Sequence, residues 1–135
     1  MIAASYVDIE KTCVEWLKAG PVGAITQSIF QSMPGSSPVP SVIGSRVGGG
    51  PMRGYDIPTD RARMSFSCWQ TSRTGAYTLS AALVTEVENL AQSGGYVAPT
   101  GLLYVGEVIN WIWMPDLASN TPRYVVDALM VAVAV

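Results

Sequence analysis

The last fifteen residues, TPRYVVDALMVAVAV, constrain this chain more than any other stretch. The run from Ala128 to Val135 is entirely apolar, and Arg123 and Asp127 lie just upstream. A membrane-spanning helix needs about 20 apolar residues, so the run is too short to span a bilayer. Val125, Val126, Val131, Val133 and Val135 are β-branched, which favours extended backbone. As a strand, Tyr124, Val126, Ala128, Met130, Ala132 and Ala134 share one face. Val125, Asp127, Leu129, Val131, Val133 and Val135 share the other. Both faces are mostly apolar, which predicts a strand covered on both sides. At about 3.3 Å per residue, a strand from Tyr124 to the last residue reaches roughly 40 Å. Such a strand crosses a whole sheet or projects beyond it toward a neighbour.

Composition points the same way. Only 13% of the 135 residues are charged and 49% are hydrophobic, against about 25% charged in an ordinary soluble domain. A chain of this length is expected to form a single domain over residues 1–135 with its own core. With so few charges, part of its surface is expected to be covered by other subunits. The formal charge of −2 gives no general attraction to nucleic acid or anionic lipid. Cys13 and Cys68 fall among core-like positions and read as buried free thiols. The opening MIAASYVDIEK has no basic start and no apolar stretch, so no signal peptide is expected and synthesis in the cytoplasm is.

A first helix is expected from near Ser5, with Ser5 and Asp8 as a capping-box variant. Ile9, Cys13, Trp16 and Leu17 form its apolar face, and Gly20-Pro21 ends it with a left-handed cap. A short strand is expected through Ile29 and Phe30, then a turn-rich MPGSSPVP connection. Ser41 to Val47 reads as a strand and Gly48 to Asp60 as an irregular loop. Arg61 to Gln70 alternates, with Ala62, Met64, Phe66 and Cys68 facing inward. A second helix carries the stripe Ala76, Leu79, Leu83, Val87 and Leu90, with Glu86, Glu88 and Asn89 turned away and Ser93-Gly94-Gly95 at its end. Leu102 to Met114 reads as a long strand in which Gly106 marks a bulge or a close backbone approach. Trp111 and Trp113 share one face of it with Ile109. PDLASNTP then turns the chain into the final strand, antiparallel to its predecessor. This order predicts an α+β fold: a mostly antiparallel sheet of about four to five strands with two helices packed on it.

No chemistry is written into the chain. It has no histidine, which removes a Ser-His-Asp triad and most zinc sites. No nucleophile elbow, P-loop or dinucleotide fingerprint is present. Gly48 to Gly50 lacks the Lys-Ser/Thr that phosphate cradling needs. Glu86 and Glu88 are two helical positions apart and do not face each other, and Asp56 and Asp60 make no acid–base pair. No catalytic group, cofactor or metal is therefore expected. The arginines Arg46, Arg53, Arg61, Arg63 and Arg73 read either as a local basic patch for DNA or an acidic partner, or as solubility and subunit pairing. The second reading is favoured. Trp111 and Trp113 are core residues or interface anchors, and Arg123 is placed to pair with Asp116 or Asp127. The candidate interface residues are Arg46, Arg53, Tyr55, Arg61, Arg63, Trp111, Trp113 and Arg123.

The order of segments resembles the small tail-terminator, or tail-completion, proteins of long-tailed bacteriophages. The resemblance runs from about Pro40 onward. It is carried by PSVIGSRVGGG before a loop, by ARMSFSCWQ leading into TSRTGAYTLSAALVTEVENL, and by PDLASNTPRYVVDALMVAVAV. It rests on order and texture rather than on a signature motif. It implies an α+β subunit that forms a six-membered ring at the head–tail junction of a virion. The ring caps the tail tube, ends its polymerisation and offers a surface to the neck proteins. The implied partners are further copies of the chain, the tail tube protein and a neck or head-completion protein. DNA is met only in passing through the ring lumen, and no membrane is involved. The family has no catalytic residues to carry over. The residues 48–60 are expected to contact a partner and to order on assembly. The alternatives are another neck component, such as a head-completion or stopper protein, and a small nucleic-acid-binding module built on the arginines.

Overall fold

The apolar C-terminal run lies in the middle of the sheet. The computed structural model describes residues 6–32, 39–52 and 58–133. Within them are strands β1 (Ile29–Phe30), β2 (Ser41–Pro51), β3 (Thr59–Trp69), β4 (Tyr96–Ala98), β5 (Gly101–Trp113) and β6 (Arg123–Val133). The helices are α1 (Ile9–Ala19), α2 (Pro21–Ile25) and α3 (Arg73–Gln92). The strands form one sheet in the order β1-β2-β3-β6-β5-β4. The β1–β2 pair is parallel and the other pairs are antiparallel. The expectation of four to five strands with two helices is therefore corrected to a six-stranded mixed sheet with three helices. The additional elements are very short. β4 has three residues and α2 five, too few to show a hydrophobic period.

β6 pairs with β3 from Thr59↔Val133 to Trp69↔Arg123, and with β5 on its other side. Its inward row, Val126, Ala128, Met130 and Ala132, is fully buried. This row packs with Ala62, Met64, Phe66 and Cys68 of β3 and with Leu79, Leu83 and Val87 of α3. The α1 residues Ile9, Cys13, Trp16 and Leu17 close the same core. The helices thus lie over one face of the sheet. On the other face, Asp127, Leu129, Val131 and Val133 are only half-buried. The expectation that β6 is covered on both sides holds for one side within a single chain.

Asp8 caps α1, its carboxylate accepting the Lys11 N–H at 3.3 Å. Ser5 lies outside the described residues. Gly20 ends α1 in extended rather than left-handed backbone, and Pro21 takes the first position of α2. There its missing N–H costs no hydrogen bond. At the far end of α3, the Gly95 N–H donates to the Leu90 carbonyl at 2.9 Å.

Two glycines shape the sheet. β2 continues through Gly48-Gly49-Gly50, with a register shift between Arg46 and Gly48. Gly49 has φ +92°, and a Cβ there would sit 2.1 Å from the Arg61 carbonyl oxygen. The expected loop from Gly48 to Asp60 is corrected accordingly. Its first residues extend β2, Thr59 and Asp60 open β3, and residues 53–57 lie outside the described set. Gly106 lies between two register shifts in β5. A Cβ there would stand 3.0 Å from Val87 Cγ1 and 3.1 Å from Met130 Sδ, so this is the close approach of α3 to the sheet.

Met130 measures how far this core holds the fold together. Met130→Ala is expected to cost about 2–5 kcal/mol in chemical denaturation. Val47→Ala, at an exposed position of β2, is expected to change stability by no more than about 0.5 kcal/mol.

Candidate functional site

The sequence-predicted interface residues do not form one patch. Arg46 is turned to the helix side of the sheet. Its guanidinium pairs with Asp60 through two hydrogen bonds, one of them Nη2 to Oδ1 at 2.9 Å. Its backbone N–H donates to Glu10 Oε2 at 2.9 Å. Donating to Asp60 raises the Arg46 pKa above its ordinary value, so the guanidinium stays charged. Asp60 is buried, which makes this a structural tie between β2, β3 and α1. Arg53 and Tyr55 lie outside the described residues.

Arg61 and Arg63 stand on the sheet face that the helices leave open. Arg63 reaches Asp127 at 3.4 Å. Across β3 and β6 the paired rows are Arg61↔Val131, Arg63↔Leu129, Ser65↔Asp127 and Ser67↔Val125. This open face is a mixed surface. An aliphatic strip from β6 runs beside a strip of arginine and serine from β3. The β3 strip was foreseen from its alternation. The flanking strip of half-buried Leu129 and Val131 was read as covered.

Trp111 and Trp113 lie elsewhere, where β5 and β6 meet the start of α3, whereas Arg123 pairs in register with Trp69 at the end of the Arg61–Arg63 row. Tyr77 stacks on Trp111 at 5.3 Å between centroids, and Trp113 meets Tyr124 at 5.2 Å. The Arg73 guanidinium lies 4.6 Å over Trp113, and the Trp111 Nε1–H donates to Ser80 Oγ at 2.9 Å. Ile109 does not share their face as expected, because the register shift between Val108 and Asn110 leaves it outside the pairing. Arg123 makes no ion pair with Asp116 or Asp127 among the described residues, though its charge helps lower the Asp116 pKa. Its Nε–H donates to the Met114 carbonyl at 2.8 Å, and its guanidinium covers Trp69 at 4.8 Å. The turn between β5 and β6 is tied by Asp116, which accepts from the Ala118 N–H at 3.0 Å and from the Ser119 hydroxyl at 2.8 Å. Those bonds lower the Asp116 pKa and hold Leu117, 89% exposed, at the tip.

Chemistry is sparse. Cys13 and Cys68 are buried and free. Burial pushes the Cys68 thiol up to about 12 and the Cys13 thiol further still. Neither forms a thiolate at neutral pH. Among the described residues, no group of three or more Cys, Asp or Glu is placed to hold a metal ion, and no helix is long and apolar enough to cross a membrane.

One residue was missed altogether. Glu86, expected to face solvent, is 8% exposed and leaves Oε2 without a hydrogen-bond partner. It lines a cleft of about 220 Å³ with Trp16, Ala19, Gly20, Pro21, Asn89, Leu90, Ser93 and Tyr96. A Cβ at position 20 would lie 1.8 Å from Glu86 Oε1, so only glycine leaves room for this carboxyl. The signal was its spacing, three residues after Leu83 and four before Leu90, which puts it beside the apolar stripe. Burial raises its pKa to about 7, opposed by the Val22 N–H.

No family model and no curated protein matches the sequence. Among solved structures, the chain is similar to one in the virion of a native gene transfer agent (GTA) particle. The identity is 12% and the TM-score 0.61, and the match covers 93% of this chain and 95% of that one. At this identity the likeness is one of fold.

The Glu86 carboxyl makes stability depend on pH. Below its ordinary value of 4.5 it is protonated in both the folded and the unfolded chain. As pH rises from there through about 7, the unfolded chain releases the proton first, so stability falls across that window. Glu86→Gln is expected to flatten this decline and to add on the order of 2 kcal/mol at pH 8. Urea titrations of dilute protein from pH 4 to 8 check it.

Proposed function

We propose that this chain is a structural virion protein of phage type, and specifically a tail terminator. In this reading it forms a homomeric ring, six-membered in the family it resembles, at the head–tail junction. The ring caps the tail tube, ends its polymerisation and joins it to the neck. The observation that carries the proposal is the likeness in fold, over nearly the whole length of both chains, to a chain of a GTA virion particle. The open sheet face supports it. A half-aliphatic face beside a row of arginines suits a surface covered by another subunit better than a catalytic cleft. Among the described residues, the buried thiols and the dispersed carboxylates supply no activated nucleophile and no acid–base pair, in keeping with a structural part.

A ring is a closed heterologous assembly, so each subunit needs two different complementary patches. The open sheet face is one of them. The helix side and the aromatic cluster around Trp111 and Trp113 offer the other. Termination follows from asymmetry between the two ends of such a ring. One end matches the docking surface of a tube subunit. The other matches a neck protein and leaves the next tube subunit without a partner.

Light scattering and negative-stain images of one purified sample test the proposal. A closed ring that caps tube ends is the expected result. A chain that stays monomeric at millimolar concentration and binds no tube end contradicts it, and a ring that binds only the capsid side makes it a neck connector. Leu129→Glu, on the open face, is expected to lower the association constant at least tenfold while leaving the melting temperature of the free subunit within a few degrees.

A further inference from the structure

The Glu86 cleft has the features of a receptor lacking its ligand. Glu86 is more than nine-tenths buried as a residue, and its carboxylate Oε2 is buried and accepts from nothing. An unpaired buried charge costs several kcal/mol, and a hydrogen-bonded cation offsets that cost. The cleft, at about 220 Å³, is smaller than the roughly 300–1,000 Å³ of small-molecule and cofactor sites. It is large enough for the head of one side chain. Trp16 and Tyr96 line it with aromatic surface, which favours a planar cation, and Asn89 and Ser93 add polar groups.

The chain carries its own candidate for that cation. Among the described arginines, Arg46 is held by Asp60, Arg63 by Asp127, Arg73 lies on Trp113, and Arg123 on Trp69, while Arg53 lies outside the described residues. Arg61 is exposed and makes no ion pair or side-chain hydrogen bond among the described residues. It stands on the open sheet face, opposite to the helix side that holds Glu86, so it cannot reach the cleft of its own chain. Its neighbour across β2 is Gly50, where an added Cβ would meet nothing within 4 Å. The arginine is therefore free to project. Lys11 and Lys18 are also exposed, but they belong to α1, a wall of the cleft. A heterologous contact joins two different patches.

We propose that the Glu86 cleft receives the guanidinium of Arg61 from a neighbouring copy of this chain. The assignment rests on the ring reading and names one bond of its subunit contact. The groups facing Glu86 are Trp16 from α1, the Gly20 and Val22 backbone from the elbow between α1 and α2, and Tyr96 from β4. No charged side chain among the described residues contributes to its titration. Pairing with Arg61 requires the ionised carboxylate, so association strengthens as pH rises through about 7.

Sedimentation equilibrium at pH 5.5 and pH 8 on wild type, Glu86→Gln, Arg61→Gln and the double variant tests this. Each single change is expected to weaken association at least tenfold at pH 8, and the double variant no more than the worse single. The gain in association between the two pH values is expected to vanish in Glu86→Gln. That variant is neutral at a buried site and gains stability, so loss of fold does not mimic the result. Unchanged association of both singles, or additive losses, overturns the assignment while a wild-type ring keeps the terminator reading intact. A wild type that stays monomeric at both pH values removes the ring and the bond together.

Discussion

The fold depends on the insertion of β6 between β3 and β5. An eleven-residue strand paired on both sides finds ladder partners along most of its length, and its register decides which row enters the core. The side-chain period of a strand is two, so a slip of one residue would exchange the two faces. Here the exchange would replace Val126, Ala128 and Met130 in the core with Val125, Asp127 and Leu129. The apolar groups would be nearly equivalent. Asp127 would not be, because a carboxylate under α3 would lie buried without a partner. On the open face it meets Arg63 instead. Asp127, the one acid of β6, thus sets the register, and the small residue Ala128 sits in the row that packs against α3.

From that register follows the division of labour between the two faces. The helix side holds the core row, the close approach at Gly106 and the Arg46–Asp60 tie between β2 and β3, and it leaves Glu86 without a partner for one oxygen. The open side carries aliphatic side chains beside arginines, with no helix above it among the described residues. The polar edges of the sheet do not offer an equally good surface. The register shifts in β5 and the Glu10 carboxylate on the Arg46 N–H interrupt the regular ladder that a neighbouring strand would need. Assembly by faces is therefore the more natural use of this subunit than assembly by strand addition.

Much of this was legible before any coordinates. β3 could be read from its alternation because its inward residues are apolar and its outward ones are arginine and serine. α3 showed itself by the stripe from Ala76 to Leu90, and β6 by its β-branched density. What escaped had physical reasons. β4 and α2 are too short to show a period. The end of β2 is written in glycine, which sequence reasoning assigns to loops, yet Gly49 is needed there because any Cβ would strike the Arg61 carbonyl. Ile109 fell out of the Trp111–Trp113 face because a bulge breaks the alternation on which the reading relied. Of the candidate site, Arg61 and Arg63 were found together, whereas Arg46 is tied to buried Asp60 and the tryptophans belong to a separate cluster. Glu86 was missed because a charged residue beside a helical stripe is ordinarily solvated. Only the glycine at position 20 creates its niche.

The central claim is that the open face of the sheet is covered in the working state. Hydroxyl-radical footprinting across a concentration series tests it directly, since it reads side-chain exposure at Leu129 and Val131 with Met130 as an internal reference. The account predicts that Met130 is protected at every concentration, while Leu129 and Val131 become protected only as the protein assembles. Equal reactivity of Leu129 and Val131 in dilute and assembled protein would contradict it.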